Sequence, residues 1–239
     1  TDPDSNASVP GLDYGLVGYW PFDGNASDMS GNGNHCVLFG ASIGTDRHGL
    51  EDAHAGALEF NATNDHYAEI PNAPQYALGQ GDFTTAMWVR GDSQLTSSSL
   101  FIKASNPYHP YEGITFFLKQ SGNVRSRTTR NAVVDTLRSD LDSHQWHHVT
   151  MSRQGTNLTV YIDAAIDVTI VDPLTDVTNA APIVLGANHV NRNSQNFHGA
   201  MDELRIYNRA LSAVEVAALY HLENTPPNQP PAFAESNAT

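Results

Sequence analysis

The sequence predicts an all-β domain, a two-sheet antiparallel sandwich closed by one short helix, on three observations. Strand-length runs of β-branched, aliphatic and aromatic residues recur between Gly-, Pro- and Asn-rich breaks. Helical periodicity is scarce before Ser212. The segment from Ser212 then carries a capping signature, with Ser212 at the N-cap and Glu215 three residues on, before the prolines of TPPNQPPAF stop it.

Residues 1–15 are polar and proline-containing and read as a linker. The first strand begins at Leu16 in LVGYW and runs into the loop PFDGNASDMSGNGN. GALEFNATNDHYAEIP occupies residues 56–71, FTTAMWV residues 83–89 and WHHVTM residues 146–151. Residues 93–102, 114–118 and 123–129 supply further strand-length pieces. TNLTVYIDAAIDVTI, residues 156–170, alternates Leu158, Val160 and Ile162 up to the turn at Asp163 and then starts a second run, which reads as a hairpin. The last strand lies in HGAMDELRIY, residues 198–207, and the helix in the residues up to Tyr220. The domain is therefore set at residues 16–223, followed by a second Pro-rich linker at 224–239.

Five of these blocks, in this order, carry a family resemblance. The opening strand and its D-x-S-G-N loop, residues 56–71 as the next strand pair, residues 83–89 and 146–151 as the two central strands, and the ending D-E-L-R-I-Y-N-R-A-L-S of Asp202 to Ser212 resemble the laminin-G-like jelly roll of the concanavalin A-like lectin and glucanase group. That resemblance implies a jelly-roll topology and a lectin-like role. NQPPAF, residues 228–233, resembles the junction that begins bacterial cadherin-like or immunoglobulin-like repeats. Together the two imply a module of a large bacterial surface or secreted protein, an adhesin, tethered to neighbouring domains.

The charge pattern excludes some partners. With 26 acidic against 12 basic residues, the net charge of -14 disfavours any sequence-independent grip on nucleic acid or on anionic membrane. No run of about 18 apolar residues offers a membrane span. Cys36 is the single cysteine, so no internal disulfide forms; a chain of 239 residues can bury a core without one, which leaves an extracellular or cell-surface location open.

Two clusters are candidate sites. Asp23, Asp28, Ser30 and Asn32 sit among glycines in one loop, and calcium needs several such oxygen donors together. The resemblance implies that Asp28, carbonyls at Asn32 or Asn34, and Asp202 share one structural calcium. Asx turns made by the same residues without metal are the alternative. The second cluster joins NATNDH, residues 61–66, to NHVNRNSQNFH, residues 188–198. Pentraxin relatives hold calcium and ligand between such loops, and the matching residues here are Asn64 and Asp65. The second loop offers Asn188, His189 and Asn191 but no Asp or Glu; its amides can hydrogen-bond sugar hydroxyls directly, with a merely solvated loop as the alternative. Tyr108 and Tyr111, in NPYHPYEG, are candidate stacking aromatics, with packing on the sandwich edge as the alternative. Arg125, Arg127 and Arg130 are candidates to meet an acidic ligand, with solvated arginines on alternating strand faces as the alternative.

Zinc and catalysis are disfavoured. His147 and His148 are adjacent, so on a strand they point to opposite faces. A retaining glycosidase needs two carboxyls about 5 Å apart, and Asp202 and Glu203 are likewise adjacent and opposed. No nucleophile elbow, zinc-protease or phosphate-loop motif occurs. The expectation is a calcium-dependent or calcium-stabilised glycan-binding module that is not an enzyme. A structural spacer, a protein-binding module, or a hydrolase or lyase of the same fold are the alternatives.

Overall fold

The computed structural model describes residues 11–49, 56–62, 66–92, 96–105, 112–129, 132–188, 191 and 194–225. The strands are β1 (Leu16–Trp20), β2 (Val37–Phe39), β3 (Ser42–Gly44), β4 (Ala57–Asn61), β5 (Tyr67–Ile70), β6 (Phe83–Asp92), β7 (Ser98–Ala104), β8 (Glu112–Leu118), β9 (Val124–Thr129), β10 (Val133–Asp135), β11 (Ser143–Gln154), β12 (Asn157–Ile162), β13 (Ala165–Val171), β14 (Ile183–Leu185) and β15 (His198–Tyr207), followed by the helix α1 (Ala213–Glu223).

They form two antiparallel sheets. One has eight strands in the order β13-β12-β11-β6-β15-β4-β3, with β1 added alongside β15; the other has seven, in the order β10-β9-β8-β7-β14-β5-β2. First and last strands are paired, so the ends of the fold close on each other. The architecture is the jelly-roll sandwich with a short C-terminal helix that the sequence predicts.

Alternation puts one row of each strand inside. From β6, Phe83, Met87 and Val89 enter the core, where they meet Val149 and Met151 of β11, Met201, Leu204 and Ile206 of β15, and Ile114, Phe116 and Leu118 of β8. The complementary row of β6 carries Ala86, Trp88 and Arg90 on the outer face of the eight-stranded sheet. There α1 lays Val216 and Leu219 against Ala86, Tyr161 and Tyr207, and each such buried aliphatic side chain contributes about 1.5–3 kcal/mol.

Local signals act as expected at the hairpin and the helix. Ile162 pairs with Ala165, leaving a two-residue turn in which Asp163 and Ala164 have φ of 51° and 66°, the geometry that matches the twist of the flanking strands. At α1 the Ser212 side chain accepts from the Glu215 N–H while the Glu215 carboxylate accepts from the Ser212 N–H, a complete capping box. The helix runs three residues beyond Tyr220, to Glu223. Among the described residues, no helix is long and apolar enough to cross a membrane.

Candidate functional site

The opening loop is organised by Asp28. Its Oδ1 accepts from the backbone N–H groups of Tyr19 at 3.2 Å and Ser30 at 2.9 Å, and its Oδ2 accepts from Asn34 N–H at 2.9 Å. Burial by itself raises a carboxyl pKa, but the hydrogen bonds from Ser30, Asn34 and Tyr19 outweigh it and hold Asp28 below its ordinary value. Asn32 Nδ2 donates to Val17 O and to Ser30 Oγ, both at 3.1 Å, and Trp20 Nε1 donates to Asn34 O at 3.0 Å. The carbonyl of Asp23 accepts from Asn25 Nδ2 at 3.1 Å. These contacts form the Asx-type loop that Asp, Asn and Ser build from their own backbone.

Asp202 lies in a different set, on the outer face of the eight-stranded sheet beneath the end of α1. The register of β15 against β6 breaks between Asp202 and Arg205, with Glu203 at φ 53°. Asp202 is 1% exposed and ion-paired with Arg47, and it also accepts from Glu203 N–H at 2.9 Å. Arg47 donates in addition to the Glu223 carbonyl. Glu223 is the hub of the set: its Oε1 accepts from Arg205 Nε at 2.7 Å and its Oε2 from Trp88 Nε1 at 2.9 Å. Arg205 also reaches Glu203 at 3.1 Å and lies 3.6 Å over the Tyr19 ring, while Tyr220 stacks on Trp88 at 5.3 Å. Burial pushes the adjacent His148 imidazole down to about 3, so it is neutral.

Three backbone N–H donors thus engage the Asp28 carboxylate and a guanidinium engages that of Asp202. Asp23 lies close enough to act on Asp202 as a like charge, which raises the Asp202 pKa. Among the described residues, no group of three or more His, Cys, Asp or Glu side chains is placed to hold a metal ion. His147 and His148 do diverge: His147 Nδ1 meets Asp163 Oδ2 at 2.9 Å, whereas His148 packs against Trp88.

The two amide-bearing loops do meet. Asn61 and His198 are paired where β4 faces β15, Ala62 N–H donates to Phe197 O at 2.9 Å, and the Phe60 and Phe197 rings pack 5.7 Å apart. The second loop is internally braced: Asn188 Nδ2 donates to Gln195 Oε1 at 2.7 Å, and Asn188 Oδ1 accepts from Asn191 N–H at 3.2 Å. Asn188 is buried and serves as an organiser of the loop, whereas Asn191 is exposed. Ser99 N–H donates to Gln195 O at 2.8 Å and so ties the loop to the start of β7. Asn64, Asp65, His189, Tyr108 and Tyr111 lie outside the described residues.

An aromatic wall that the sequence did not single out begins at the residue after the first loop. Phe39 and Tyr67, opposite each other on β2 and β5, stack at 4.6 Å with their planes 10° apart. Alternation was the available signal: Ala68 and Ile70 enter the core, which turns Tyr67 and Glu69 outward.

The same outer face of the seven-stranded sheet continues toward its β10 edge. Phe117, Arg125 and Asp135 stand opposite one another on β8, β9 and β10. Arg125 grips Asp135 through Nε at 2.6 Å and Nη2 at 2.8 Å, Lys119 Nζ reaches the same carboxylate at 3.1 Å, and the Arg127 guanidinium lies 5.5 Å over the Phe117 ring. Hydrogen bonds from Arg125 hold the Asp135 carboxyl below its usual range, with Lys119 adding to the effect.

Comparison with known proteins agrees with this architecture. Residues 62–217 match the family model Laminin_G_3, described as the concanavalin A-like lectin/glucanases superfamily. No curated protein sequence matches the chain. The binding domain of Paraclostridial mosquitocidal protein 1 superposes with a TM-score of 0.73 at 22% identity, over 87% of this chain and 52% of that one. A structure of botulinum neurotoxin type C, a toxin whose cell entry depends on interaction with two ganglioside molecules, gives 0.71 at 13% identity, over 91% and 53%. Domain 4 of AbnA, a GH43 extracellular arabinanase from Geobacillus stearothermophilus, in complex with arabinotriose, gives 0.63 at 21% identity, over 86% and 98%. The chain thus spans about half the length of the toxin chains and nearly all of the arabinanase domain. At these identities the likeness is one of fold.

Proposed function

Because the chain belongs to the concanavalin A-like lectin/glucanases superfamily, we propose that it is a carbohydrate-binding module of an extracellular or cell-surface protein, working in adhesion to glycans. The observation that carries this reading is the convergence of the two amide-rich loops, through Asn61 with His198 and Ala62 with Phe197, at one end of the sandwich. Sugar recognition needs amide donors and acceptors beside an aromatic face. Asn191 and Gln195 supply the first, and the Phe39–Tyr67 stack supplies the second. That domain 4 of AbnA holds arabinotriose on the same fold supports the choice of ligand class.

A binding role is also favoured over catalysis by where the acids are. Asp202, Glu203 and Glu223 are buried, engaged by Arg47 and Arg205, and sit under α1. A glycosidase needs its two carboxyls facing the scissile bond.

A glycan array tests the module. The expected result is binding to a defined set of oligosaccharides that an Asp65→Ala, Asn191→Ala double variant loses while its melting curve stays close to that of the parent. Retained binding in that variant moves the ligand away from this rim, and no binding to any glycan leaves a protein partner or a spacer role in its place.

Calcium is the finer part of the proposal. The opening loop offers hard oxygen donors in Asp23, Asn32 and the neighbouring carbonyls, but Asp28 and Asp202 have to exchange their present partners to join one ion. An ion bound only to the folded form adds about 2.7 kcal/mol at a hundredfold excess over Kd. A melting temperature that chelator leaves unchanged removes calcium from this reading.

A further inference from the structure

The twelve basic residues of this chain stand against 26 acidic ones, and most of the basic side chains described are used up internally. Arg47 and Arg205 neutralise the buried acids beneath α1. Arg153 is fully buried and donates to the carbonyls of Gly79, Gly81 and Thr175. Lys103 is buried too, with its ammonium donating to Asn72 Oδ1, Asn179 O and Ala181 O at 2.7–2.9 Å. Arg90, Arg138 and Arg209 each face at least one carboxylate of their own, from Asp92, Asp140 and Glu215 respectively.

The outer face of the seven-stranded sheet breaks that pattern. Lys119 and Arg125, with side chains 28% and 33% exposed, share the single carboxylate of Asp135, which is 34% exposed. Two cations on one anion leave a net positive charge at the surface. Asp135 also fixes their direction: Arg125 spends Nε and Nη2 on it, so Nη1 remains as a donor, and Lys119 has two ammonium protons beyond the one it gives.

We propose that Lys119 and Arg125 form a subsite for the carboxylate groups of an acidic polysaccharide, a polyuronate, at the β10 side of the outer face of the seven-stranded sheet. The proposal rests on the carbohydrate-binding reading and adds to it the class of sugar. Guanidinium groups suit carboxylates because their planar N–H forks match the two oxygens.

The sign of the salt effect separates this subsite from general electrostatics. A protein of net charge -14 repels a polyanion as a whole, so screening strengthens a contact that lacks local cations and weakens one made by them. Calorimetric titration with trigalacturonate is the experiment, with the neutral glycans of the array as the reference. The expected result is binding that weakens between about 50 mM and 500 mM salt, and that falls roughly tenfold in a Lys119→Gln, Arg125→Gln variant, with neutral glycan binding and the melting curve retained. Trigalacturonate binding that is absent, that strengthens with salt, or that is equal in the variant overturns the subsite. Neutral glycans still bound in those cases leave the parent reading standing, and their absence overturns both.

Discussion

The two outer faces of this sandwich use charge in opposite ways. On the eight-stranded sheet, α1 covers the strands, and Arg47, Arg205, Asp202, Glu203 and Glu223 cancel one another out of water, with Trp88, Tyr19 and Tyr220 filling the space between them. On the seven-stranded sheet the ionic groups stay at about one-third exposure, and one carboxylate serves two cations. Burial makes the difference. A covered charge must find its complement inside the fold, because an unpaired one costs several kcal/mol; a charge at the surface is hydrated and remains available to a ligand.

That contrast is broken most severely by Glu223→Ala. The variant leaves Arg205 and the Trp88 indole N–H facing a cavity under α1, and removal of one partner from a buried ionic set costs about 3–5 kcal/mol. Denaturant unfolding is expected to show a loss of this size. A change below about 1 kcal/mol would mean that water reaches the set, and that the covered face differs little from the open one.

Asp163→Asn gives an intermediate effect, because its carboxylate is partly buried at the hairpin turn. It accepts from His148 N–H at 2.9 Å and from Arg138 Nη1 at 2.6 Å, and it meets His147 Nδ1 at 2.9 Å. Asn tolerates the left-handed backbone at this position, so the variant tests the charge alone, and about 1.5–3 kcal/mol is expected. Burial raises the Asp163 pKa, but the hydrogen bonds from His147, His148 and Arg138 outweigh it and leave the folded value below the ordinary one. The contribution is therefore complete above about pH 4 and disappears as pH falls through the folded pKa. Unfolding curves for the two proteins should converge in acid, and a gap that persists undiminished at low pH would assign the effect to packing.

Arg125→Gln is expected to have the smallest effect on stability, within about 0.5 kcal/mol, since exposed ion pairs contribute little. Its effect belongs to the ligand. A melting curve that drops as far as that of Glu223→Ala would place Arg125 among the structural charges and erase the distinction between the faces.

By itself the sequence determined the class of fold and its local punctuation. Period-two alternation depends only on neighbouring residues, so Leu158, Val160 and Ile162 were legible as the inward face of a strand. The Asp163 turn and the Ser212–Glu215 capping box were readable for the same reason, because each is completed within a few residues. Three-residue strands such as β2, β10 and β14 were not legible, since so short a run has no period of its own and exists because longer neighbours pair with it. The choice of charge partners also belonged to the tertiary structure. Arg47 and Asp202 are 155 residues apart and Trp88 and Glu223 are 135 apart, and no spacing rule connects such positions. Family resemblance alone linked the loop at residues 61–66 to that at 188–198 and Asp28 to Asp202, and the partners each residue takes were set by the packed chain: Asn61 pairs with His198, backbone N–H groups engage Asp28, and the Arg47 guanidinium engages Asp202.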